Sequence, residues 1–296
     1  MIRRVVGTER QMTITSLNCF NINEKEIDRA RKLVERLKNM NWPDTVALQE
    51  IQDNDGPIIS DQTSAERTLA MFKKLILEAG GPDYESFDIA PKENNASGGE
   101  PGGNIRTCYL AKKSRVKINK ELSGVIGEGD PAFHLARPPR VLCCEFAGQK
   151  TFIINNHFSS LLGSSPWNSE IDVRGREKQR KAQAEYVGRY IQYLQQQHPG
   201  AKILCLGDFN DPTGRDTIDI ICKDSKMANY SRNLLDPKDY YDYNWRGKLQ
   251  CLCPILGSQE LLEKELIEME IFSADTLVPI EDAGTDHSRP LIRVTY

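Results

Sequence analysis

One apolar segment of the sequence ends in a carboxylate and an amide that stand two residues apart. Residues 203–206 lead directly into Gly207-Asp208-Phe209-Asn210. If this segment is a strand, the glycine lets the backbone turn, and the side chains of Asp208 and Asn210 point the same way. In such a pair, the carboxylate can orient a water molecule, and the amide beside it can donate a hydrogen bond to a phosphate oxygen. An ordinary Asp/Asn turn after a strand would also explain it.

Polar side chains end other apolar segments in the same way. They are Asn18, Gln49 with Glu50, Asn155 with Asn156 and His157, and, just before the apolar run 291–294, Asp286 with His287. Taken singly, each has a structural explanation: Glu50 as a solvated strand end, His157 as a satisfied core histidine and Asp286 as a cap. Taken together, they place acids, amides and imidazoles at the ends of several strands.

Short apolar segments rich in β-branched residues predict the strands of a mixed sheet architecture. They cover residues 12–19, 45–49, 84–90, 106–111, 141–146, 151–155, 202–206 and 291–294.

Helices are predicted between some of these strands from their apolar stripes. They cover residues 24–40, with Ile27, Ala30, Leu33, Val34 and Leu37 inward, 64–79, with Leu69, Phe72, Leu75 and Ile76 inward, and 176–197. The polar, Gly-containing segments 92–103 and 161–175 predict loops. Because the chemical motifs lie on both sides of each loop, we expect one domain over residues 1–296, with an irregular N-terminal segment over residues 1–11.

The composition is that of a globular protein of 296 residues, with 39% hydrophobic and 27% charged residues. A net charge of -3 and a pI near 5.9 exclude a global basic field of the kind that holds proteins nonspecifically on nucleic acid, but they allow a local basic face. No apolar run approaches the roughly 18 residues of a membrane span. The basic N-terminus also lacks the apolar core of a secretory signal.

The eight cysteines lie mostly within apolar segments, where free thiols behave as small hydrophobic groups. This usage indicates a reducing cytoplasm, or a host cytosol if the protein is exported by an unusual route. Cys251 and Cys253 form a Cys-x-Cys pair, but no second Cys or His pair stands at zinc-finger spacing. We therefore do not expect a structural zinc ion.

In order and spacing, the motifs resemble those of the endonuclease/exonuclease/phosphatase superfamily from about residue 13 to the end of the chain. The resemblance is carried by Leu48-Gln49-Glu50-Ile51-Gln52-Asp53, Gly102-Gly103-Asn104-Ile105-Arg106, Asn155-Asn156-His157-Phe158 and Gly207-Asp208-Phe209-Asn210-Asp211. Within the superfamily, the sequence is most similar to bacterial predicted nucleases related to pancreatic-type deoxyribonuclease. The resemblance implies an α+β fold, a four-layer α/β/β/α sandwich in which two mixed β-sheets pack face to face with helices outside.

The resemblance also implies a metal site. In such proteins the residue that matches Glu50 binds a hard divalent ion, usually Mg²⁺ and alternatively Mn²⁺, with help from the residues that match Asn18 and Asp286. Oxygen ligands suit these ions, which share their ligand shell with a substrate phosphate.

Catalytic roles follow from the same resemblance. Asp208 would position or deprotonate the attacking water, and Asn210 would hold the phosphate. His157 and His287 would hydrogen-bond the nonbridging oxygens and exchange protons as charge develops. The remaining phosphate-binding candidates are Asn18, Asn104, Arg106 and Asn156. For Arg106, a solvated strand-edge arginine is an equally good explanation.

Two positions depart from the pattern of the deoxyribonuclease group. Related proteins usually carry an aspartate that bonds to the histidine of the Asp-His motif, and the alignment puts Cys253 in its place. A neutral thiol is a poor acceptor and does not stabilise an imidazolium as a carboxylate does. Asp242 is a nearby carboxylate that could substitute for it. A glutamate partner for His157 is also not evident around residues 104–106.

Three functions are compatible with these observations. The leading hypothesis is a Mg²⁺-dependent phosphodiesterase that acts on nucleic acid as an endonuclease. The second is a hydrolase of a small phosphorylated or phospholipid substrate, since a fold does not fix a function. The third is a phosphate-binding effector that has lost turnover through Cys253. The acidic pI favours the second and third hypotheses, whereas we take the first as the best match to the motifs.

Overall fold

The computed structural model describes residues 9–160, 170–211, 216–272 and 276–296. Within these ranges the strands are β1 (Gln11–Ile22), β2 (Thr45–Ile51), β3 (Tyr84–Phe87), β4 (Arg106–Lys112), β5 (Lys117–Ile118), β6 (Gly124–Val125), β7 (Arg140–Phe146), β8 (Gln149–His157), β9 (Lys202–Asp208), β10 (Met227–Asn229), β11 (Tyr243–Trp245), β12 (Lys248–Gln250), β13 (Leu256–Ser258), β14 (Ile267–Ile271) and β15 (Pro290–Thr295). The α-helices are α1 (Ile27–Asn39), α2 (Glu66–Glu78), α3 (Glu170–Gln197), α4 (Asp216–Ser225), α5 (Tyr230–Leu234), α6 (Gln259–Glu263) and α7 (Ile280–Ala283). Two short 3-10 helices lie at Pro131–Phe133 and Pro237–Asp239.

Two mixed sheets form the centre of the molecule. The first has the strand order β14-β15-β1-β2-β4-β3, and the second has the order β10-β13-β9-β8-β7-β5, with β6 also paired to β7. Each sheet contains one parallel pair, β1 with β2 and β8 with β9, and its other pairs are antiparallel. The hairpin of β11 and β12 forms a separate two-stranded sheet.

Three apolar cores separate four layers. The core between the sheets contains side chains of both, including Ile14 and Ile153. Leu33 of α1 and Phe72 of α2 pack on the outer face of the first sheet, and Val187 of α3 packs on the outer face of the second. The predicted α+β fold with two mixed sheets and outer helices is therefore confirmed. Among the described residues, no helix has the length and apolar character needed to cross a bilayer.

The predicted helices occur with some changes at their ends. The apolar stripes of α1 and α2 are buried as expected, except that Ile27 is 45% exposed because it is the first residue of its helix. The predicted loop 161–175 is wrong in its second half, since α3 begins at Glu170. Acidic residues in a first turn favour a helix start there. Residues 161–169 of that loop, and residues 1–8 of the expected N-terminal segment, lie outside the described residues.

The two parallel pairs determine where the polar strand ends meet. Parallel strands end at the same edge of a sheet, so Asn18 of β1 and Glu50 of β2 come together in the first sheet. In the second sheet, His157 of β8 is paired in register with Asp208 of β9. Because the sheets pack face to face, these two edges form one rim.

Asn155 connects the two sheets below this rim. Its amide Nδ2 donates to the carbonyl oxygens of Leu48 at 2.9 Å and Cys108 at 3.1 Å, and its Oδ1 accepts from Gln49 Nε2 at 2.7 Å. Asn155 and Gln49 are both fully buried. Both side chains therefore serve the packing of the sheets.

We predict that Asn155→Ala lowers the free energy of unfolding by about 2–4 kcal/mol, because in the core it removes the side-chain donor to two carbonyls and one acceptor of the Gln49 amide. Urea unfolding followed by circular dichroism measures the change. Gln149→Ala, at the exposed start of the same strand, is the control and should change stability by no more than about 0.5 kcal/mol. Equal stability of the Asn155 variant and wild type would show that this bridge is unimportant.

Candidate active site

The amide of Asn18 joins two carboxylates that come from different sheets. Its Nδ2 donates to Glu50 Oε1 at 3.1 Å and to Asp208 Oδ2 at 3.2 Å. Its Oδ1 accepts from the backbone N–H of Phe20 at 3.0 Å, which fixes the orientation of the amide. Asn18 therefore presents its donor to the acids in this arrangement, and its role as an oxygen ligand for a metal stays a prediction.

Two histidines surround the same carboxylate oxygen. Asp208 Oδ2 lies 3.8 Å from His157 Nε2 and 3.6 Å from His287 Nε2. His157 Nε2 is also 3.5 Å from Glu50 Oε1, and His287 Nδ1 is 2.8 Å from Asp286 Oδ1. The structure thus brings together five residues that the sequence singled out from four separate motifs.

Burial gives the acids of this cluster unusual protonation behaviour. Burial raises the pKa of Glu50, and the nearby charges of Asp286 and Asp208 raise it further, against the opposing hydrogen bond from Asn18. Burial likewise raises the pKa of Asp208, although His287 and the backbone N–H of Asn210 act in the opposite direction. The carboxylates of Glu50 and Asp208 are therefore poorly solvated, whereas at Asp286 burial is outweighed by the charge and hydrogen bond of His287, which lower its pKa.

The two histidines differ in charge. Burial lowers the pKa of His157 well below its ordinary value, and the positive charges of Arg137 and His287 lower it further. For His287, burial acts in the same direction, but the acids around it, above all Asp286, raise its pKa to about 10. His157 is therefore neutral at pH 7, whereas His287 is a cation.

The Gly-Asp-x-Asn turn holds Asp208 at the rim. Gly207 has φ +113°, and a Cβ there would lie 2.1 Å from the carbonyl oxygen of Asn156, so only glycine fits this approach of β9 to β8. Asp208 Oδ1 accepts from Asn210 N at 2.8 Å. Asn210 has φ +50° and donates from Nδ2 to the carbonyl of Phe158 at 3.1 Å. This bond supports the turn and leaves one amide hydrogen of Asn210 for a substrate.

Glu50 also stands on unusual backbone. Its φ is +58°, and the ladder between β2 and β4 changes register between Leu48 and Ile51. A bulge of this kind re-aims a side chain at the end of a strand. The backbone N–H of Asn21 donates to Glu50 Oε2 at 3.0 Å and holds the carboxylate in place. Strained backbone at a strand end is typical of functional sites.

Cys253 lies where the alignment put it, close to His287. One ligand atom each from Asp208, Cys253 and His287 lie within 4.8 Å of one another. Asp242 is completely buried and accepts from the N–H groups of Leu252 and Cys253 at 2.8 and 2.9 Å. No hydrogen bond joins Asp242 to His287 in the part of the chain that the structure describes, so it contributes to His287 through its charge alone.

The glutamate partner that the sequence lacks for His157 is also missing from the structure. His157 Nδ1 is buried and has no hydrogen-bond partner among the described residues.

Three predicted phosphate-binding residues lie outside the cluster. Asn104 donates to Asp53 Oδ2 at 2.8 Å and to Asn94 Oδ1 at 2.7 Å, so it organises the Gly-rich loop. Asn156 points away from the sheet interface, because neighbouring residues of a strand face opposite sides, and donates to Leu206 O at 2.9 Å. These contacts do not agree with phosphate binding by Asn104 or Asn156.

Arg106 is buried beside Asp88, with a separation of 3.3 Å between Nη1 and Oδ2. It lines a cavity of about 650 Å³, together with Arg137 and Arg140. Its side chain is therefore neither a solvated strand-edge arginine nor part of the rim cluster.

Two arginines near the cluster were not singled out in the sequence. Arg137 is 5% exposed and donates from Nη2 to Phe158 O at 2.9 Å, and its charge interacts favourably with Glu50 and Asp208. The Arg-Pro-Pro-Arg segment that contains it could have drawn attention, since two prolines hold an arginine on extended backbone. Arg29 donates to Cys19 O at 2.6 Å and faces Glu50 and Asp286, but it lies within an ordinary amphipathic helix that gives no such signal.

The residues present fit a hard divalent cation. Glu50, Asp208 and Asp286 bring three carboxylates to the rim, and the charges of Asp286 and Asp208 add to the effect of burial in raising the pKa of Glu50. A cation bound among them would reduce this repulsion. Carboxylate oxygens are also the ligands that Mg²⁺ and Mn²⁺ prefer. Glu50, His157 and Asp208 each offer a ligand atom, and these atoms lie within 4.8 Å of one another. The charge of Asp286 also acts on Glu50, so Asp286 could join Glu50 in holding such an ion.

Solved structures similar to this one cover nearly the whole chain. An endonuclease/exonuclease/phosphatase family protein from Leptotrichia buccalis shares 13% identity at a TM-score of 0.62, over 96% of this chain and 100% of the other. The human Nocturnin catalytic domain, with a bound sulfate anion, shares 13% at 0.64, over 98% and 97%. Danio rerio TDP2, complexed with single strand DNA product, shares 18% at 0.58, over 97% and 99%.

The chain has the endonuclease/exonuclease/phosphatase fold. Neither a family model nor a curated protein matches its sequence. The endonuclease/exonuclease/phosphatase fold is shared here by animal and bacterial proteins, so the narrower likeness to bacterial nucleases is not needed to explain it. The rim of this fold is where the cluster around Asp208 lies.

We predict that Asp208→Asn raises the free energy of unfolding by about 0.5–2 kcal/mol when measured with a chelator present. A folded-state pKa above the unfolded value means that the ionised acid destabilises the protein at pH 7. The difference in the free energy of unfolding between the variant and wild type should therefore decrease as the pH falls and Asp208 of the wild type is protonated. Urea unfolding at several pH values tests this. Asp61→Asn, at an exposed site, should show no such effect, and a destabilised Asp208 variant would mean that the carboxylate has a structural role.

Proposed function

We propose that this protein is a divalent-metal-dependent phosphodiester hydrolase that cleaves nucleic acid internally. The observation that supports this most is the convergence of Glu50, Asp208, His157 and His287 on one rim, with Asp208 Oδ2 within 4 Å of both imidazoles. Hydrolysis of a phosphate ester requires acids that bind a cation, a base that activates water, and groups such as these two imidazoles that stabilise the developing charge.

Asp208 is suited to act as the base. Its raised pKa brings it closer to neutrality than an exposed aspartate, and proton transfer is most efficient when the pKa of the base approaches the working pH. The hydrogen bonds from Asn18 Nδ2 and Asn210 N hold the two carboxylate oxygens in fixed positions. A water molecule beside Oδ2 would lose its proton to Asp208 as it attacks phosphorus.

The two imidazoles would stabilise the charge that develops on the phosphate. His287 is a cation at neutral pH because of its acidic neighbours, so it can donate to a nonbridging oxygen and neutralise it. His157 is neutral, and its Nε2 faces Glu50, which favours the tautomer with the N–H on that nitrogen. His157 can therefore donate a hydrogen bond to the phosphate in addition to the one from His287. When bound at Glu50 and Asp286, the metal ion would polarise the phosphoryl oxygen.

An aromatic hairpin beside His287 favours nucleic acid over a small substrate. Tyr243 of β11 lies 4.8 Å from the His287 ring, centroid to centroid, and stacks with Trp245 at 6.5 Å and 16°. Trp245 is 46% exposed, and the Arg246 guanidinium lies 5.3 Å from its ring centre. Exposed aromatic rings next to cationic groups bind the bases of single strands by stacking. The single strand DNA product in the complex of Danio rerio TDP2 is consistent with such a substrate.

We predict that chelation abolishes hydrolysis and that Glu50→Gln reduces kcat/KM on single-stranded DNA by at least about 100-fold, because the metal loses its main charged ligand. Metal-dependent cleavage of a circular single strand measures both effects and separates internal cleavage from exonuclease action, which needs an end. Glu145→Gln, at a partly exposed position of β7, is the matched control. Cleavage that persists in chelator and in Glu50→Gln would remove the proposed mechanism.

The Asp208→Asn variant should lose turnover although it gains stability. Removal of one positioned catalytic group commonly lowers the rate by about 10²- to 10⁴-fold. Single-turnover kinetics with saturating enzyme and Mg²⁺ isolates the chemical step. A variant that cleaves at the wild-type rate would show that another group activates the water.

We predict that Trp245→Ala raises KM for single-stranded DNA by about 5- to 150-fold, the loss of about 1–3 kcal/mol of base stacking. Hydrolysis of a small chromogenic phosphodiester should remain unchanged, because that substrate does not reach the hairpin. Leu249→Ala, which removes an equally exposed side chain from the facing strand of the hairpin, is the control. Equal losses on both substrates would mean that Trp245 supports the site and does not bind a base.

A further inference from the structure

A thiol lies within the proposed active site. Cys253 is in the segment between β12 and β13 and is 2% exposed. The N–H groups of Leu252 and Cys253 are bound by the Asp242 carboxylate, and Leu252 O accepts from Phe209 N at 2.9 Å. The thiol is therefore held on well-bonded backbone, next to the turn that carries Asp208.

Besides the carboxylates proposed to bind Mg²⁺, this thiol belongs to another group of side chains that could bind a metal ion. Asp208, Cys253 and His287 each offer a ligand atom, these atoms lie within 4.8 Å of one another, and all three residues are buried. His287 Nε2 has no hydrogen-bond partner among the described residues and is 3.6 Å from Asp208 Oδ2. Buried ring nitrogens normally have a hydrogen-bond partner. A metal ion bound to His287 Nε2 would take the place of the missing partner.

The chemistry of this group differs from that of the Glu50 site. A thiolate, an imidazole and one carboxylate suit Zn²⁺, which accepts sulfur, nitrogen and oxygen ligands and often has three protein ligands with a fourth position open. Mg²⁺ requires oxygen ligands and does not favour sulfur. Related proteins carry an aspartate at the position of Cys253, which is a hard oxygen ligand. This chain has a soft sulfur ligand there instead.

We propose that Asp208, Cys253 and His287 form a zinc site whose occupation stops the enzyme. On binding, a sulfur–zinc bond replaces the S–H bond of Cys253, and the thiol proton leaves to solvent. His287 binds through a neutral nitrogen and likewise releases its extra proton, without any change of oxidation state. The bound zinc then holds the Asp208 carboxylate and the His287 ring, so neither is available to water or phosphate. The inhibition rests on the proposed function, whereas the zinc site does not.

Cys251 provides a matched control. It is buried like Cys253 and stands two residues away, but its thiol donates to Asp242 Oδ2 at 3.2 Å and is not part of the group. Cys251→Ser and Cys253→Ser make the same chemical change at the two positions. Only the second removes a zinc ligand.

The test is a titration of metal-free protein with Co²⁺, followed by displacement with Zn²⁺. Wild type and Cys251→Ser should bind Co²⁺ with the near-ultraviolet charge-transfer band of a cobalt–thiolate bond, which Co²⁺ at the carboxylates of Glu50 and Asp286 would not give, and Zn²⁺ should remove the band. Cys253→Ser should lack the band and bind Zn²⁺ at least about 100-fold more weakly, since supporting residues alone contribute 10- to 100-fold. Absence of the band in wild type would overturn the proposal whether or not the variants fold. Equal zinc affinity of Cys253→Ser and wild type would also overturn it.

A second measurement tests the regulatory part. Micromolar Zn²⁺ should inhibit Mg²⁺-supported cleavage by wild type and by Cys251→Ser, and a zinc chelator weak for Mg²⁺ should restore it. If zinc binds through Cys253 but cleavage continues unchanged, the inhibitory role is wrong. If wild type cleaves nothing under any condition but shows the cobalt–thiolate band, the proposed function fails and the zinc site stands.

Discussion

The site depends on keeping carboxylates from two different sheets close together and away from water. Asn18 makes this possible, because its one amide group donates to Glu50 of the first sheet and to Asp208 of the second. Without such a donor, the two carboxylates would repel each other and take up protons. The cation of His287 and the buried charge of Arg137 oppose the same repulsion. The carboxylates can therefore stay close together at the rim, where a metal ion would have oxygen ligands.

Secondary structure and the main chemical groups could be predicted from local sequence. Apolar segments gave the central strands, and a 3.6-residue period gave α1 and α2. The turn at Gly207-Asp208-Phe209-Asn210 could be predicted because Gly, Asp and Asn are typical of a turn after a strand. Its chemical role could not be separated from that of an ordinary turn by local sequence alone. The convergence of Glu50, His157 and His287 on Asp208 came from a likeness to whole motifs, since their distances in sequence are too large for local rules to connect them.

Residues that were misplaced or missed show where local reasoning ends. Asn155, Asn156 and His157 are consecutive polar residues, but the alternation of β8 sends Asn156 to the helix side and gives Asn155 a bridging role between the sheets. Only the register of the strand distinguishes these roles. Arg29 and Arg137 act at the cluster through contacts that the tertiary fold alone creates. The orientation of the Asn18 amide depends on the backbone N–H of Phe20, which the sequence does not reveal.

We propose that the rim holds a divalent ion at Glu50 and Asp286, beside Asp208. Crystals of the protein soaked in Mn²⁺, with anomalous diffraction data collected near the manganese absorption edge, test it most directly. We expect an anomalous peak within about 2.5 Å of carboxylate oxygens of both Glu50 and Asp286, a distance typical of hard cations with oxygen ligands. A peak bound elsewhere on the chain, with these two carboxylates free of metal, would contradict it.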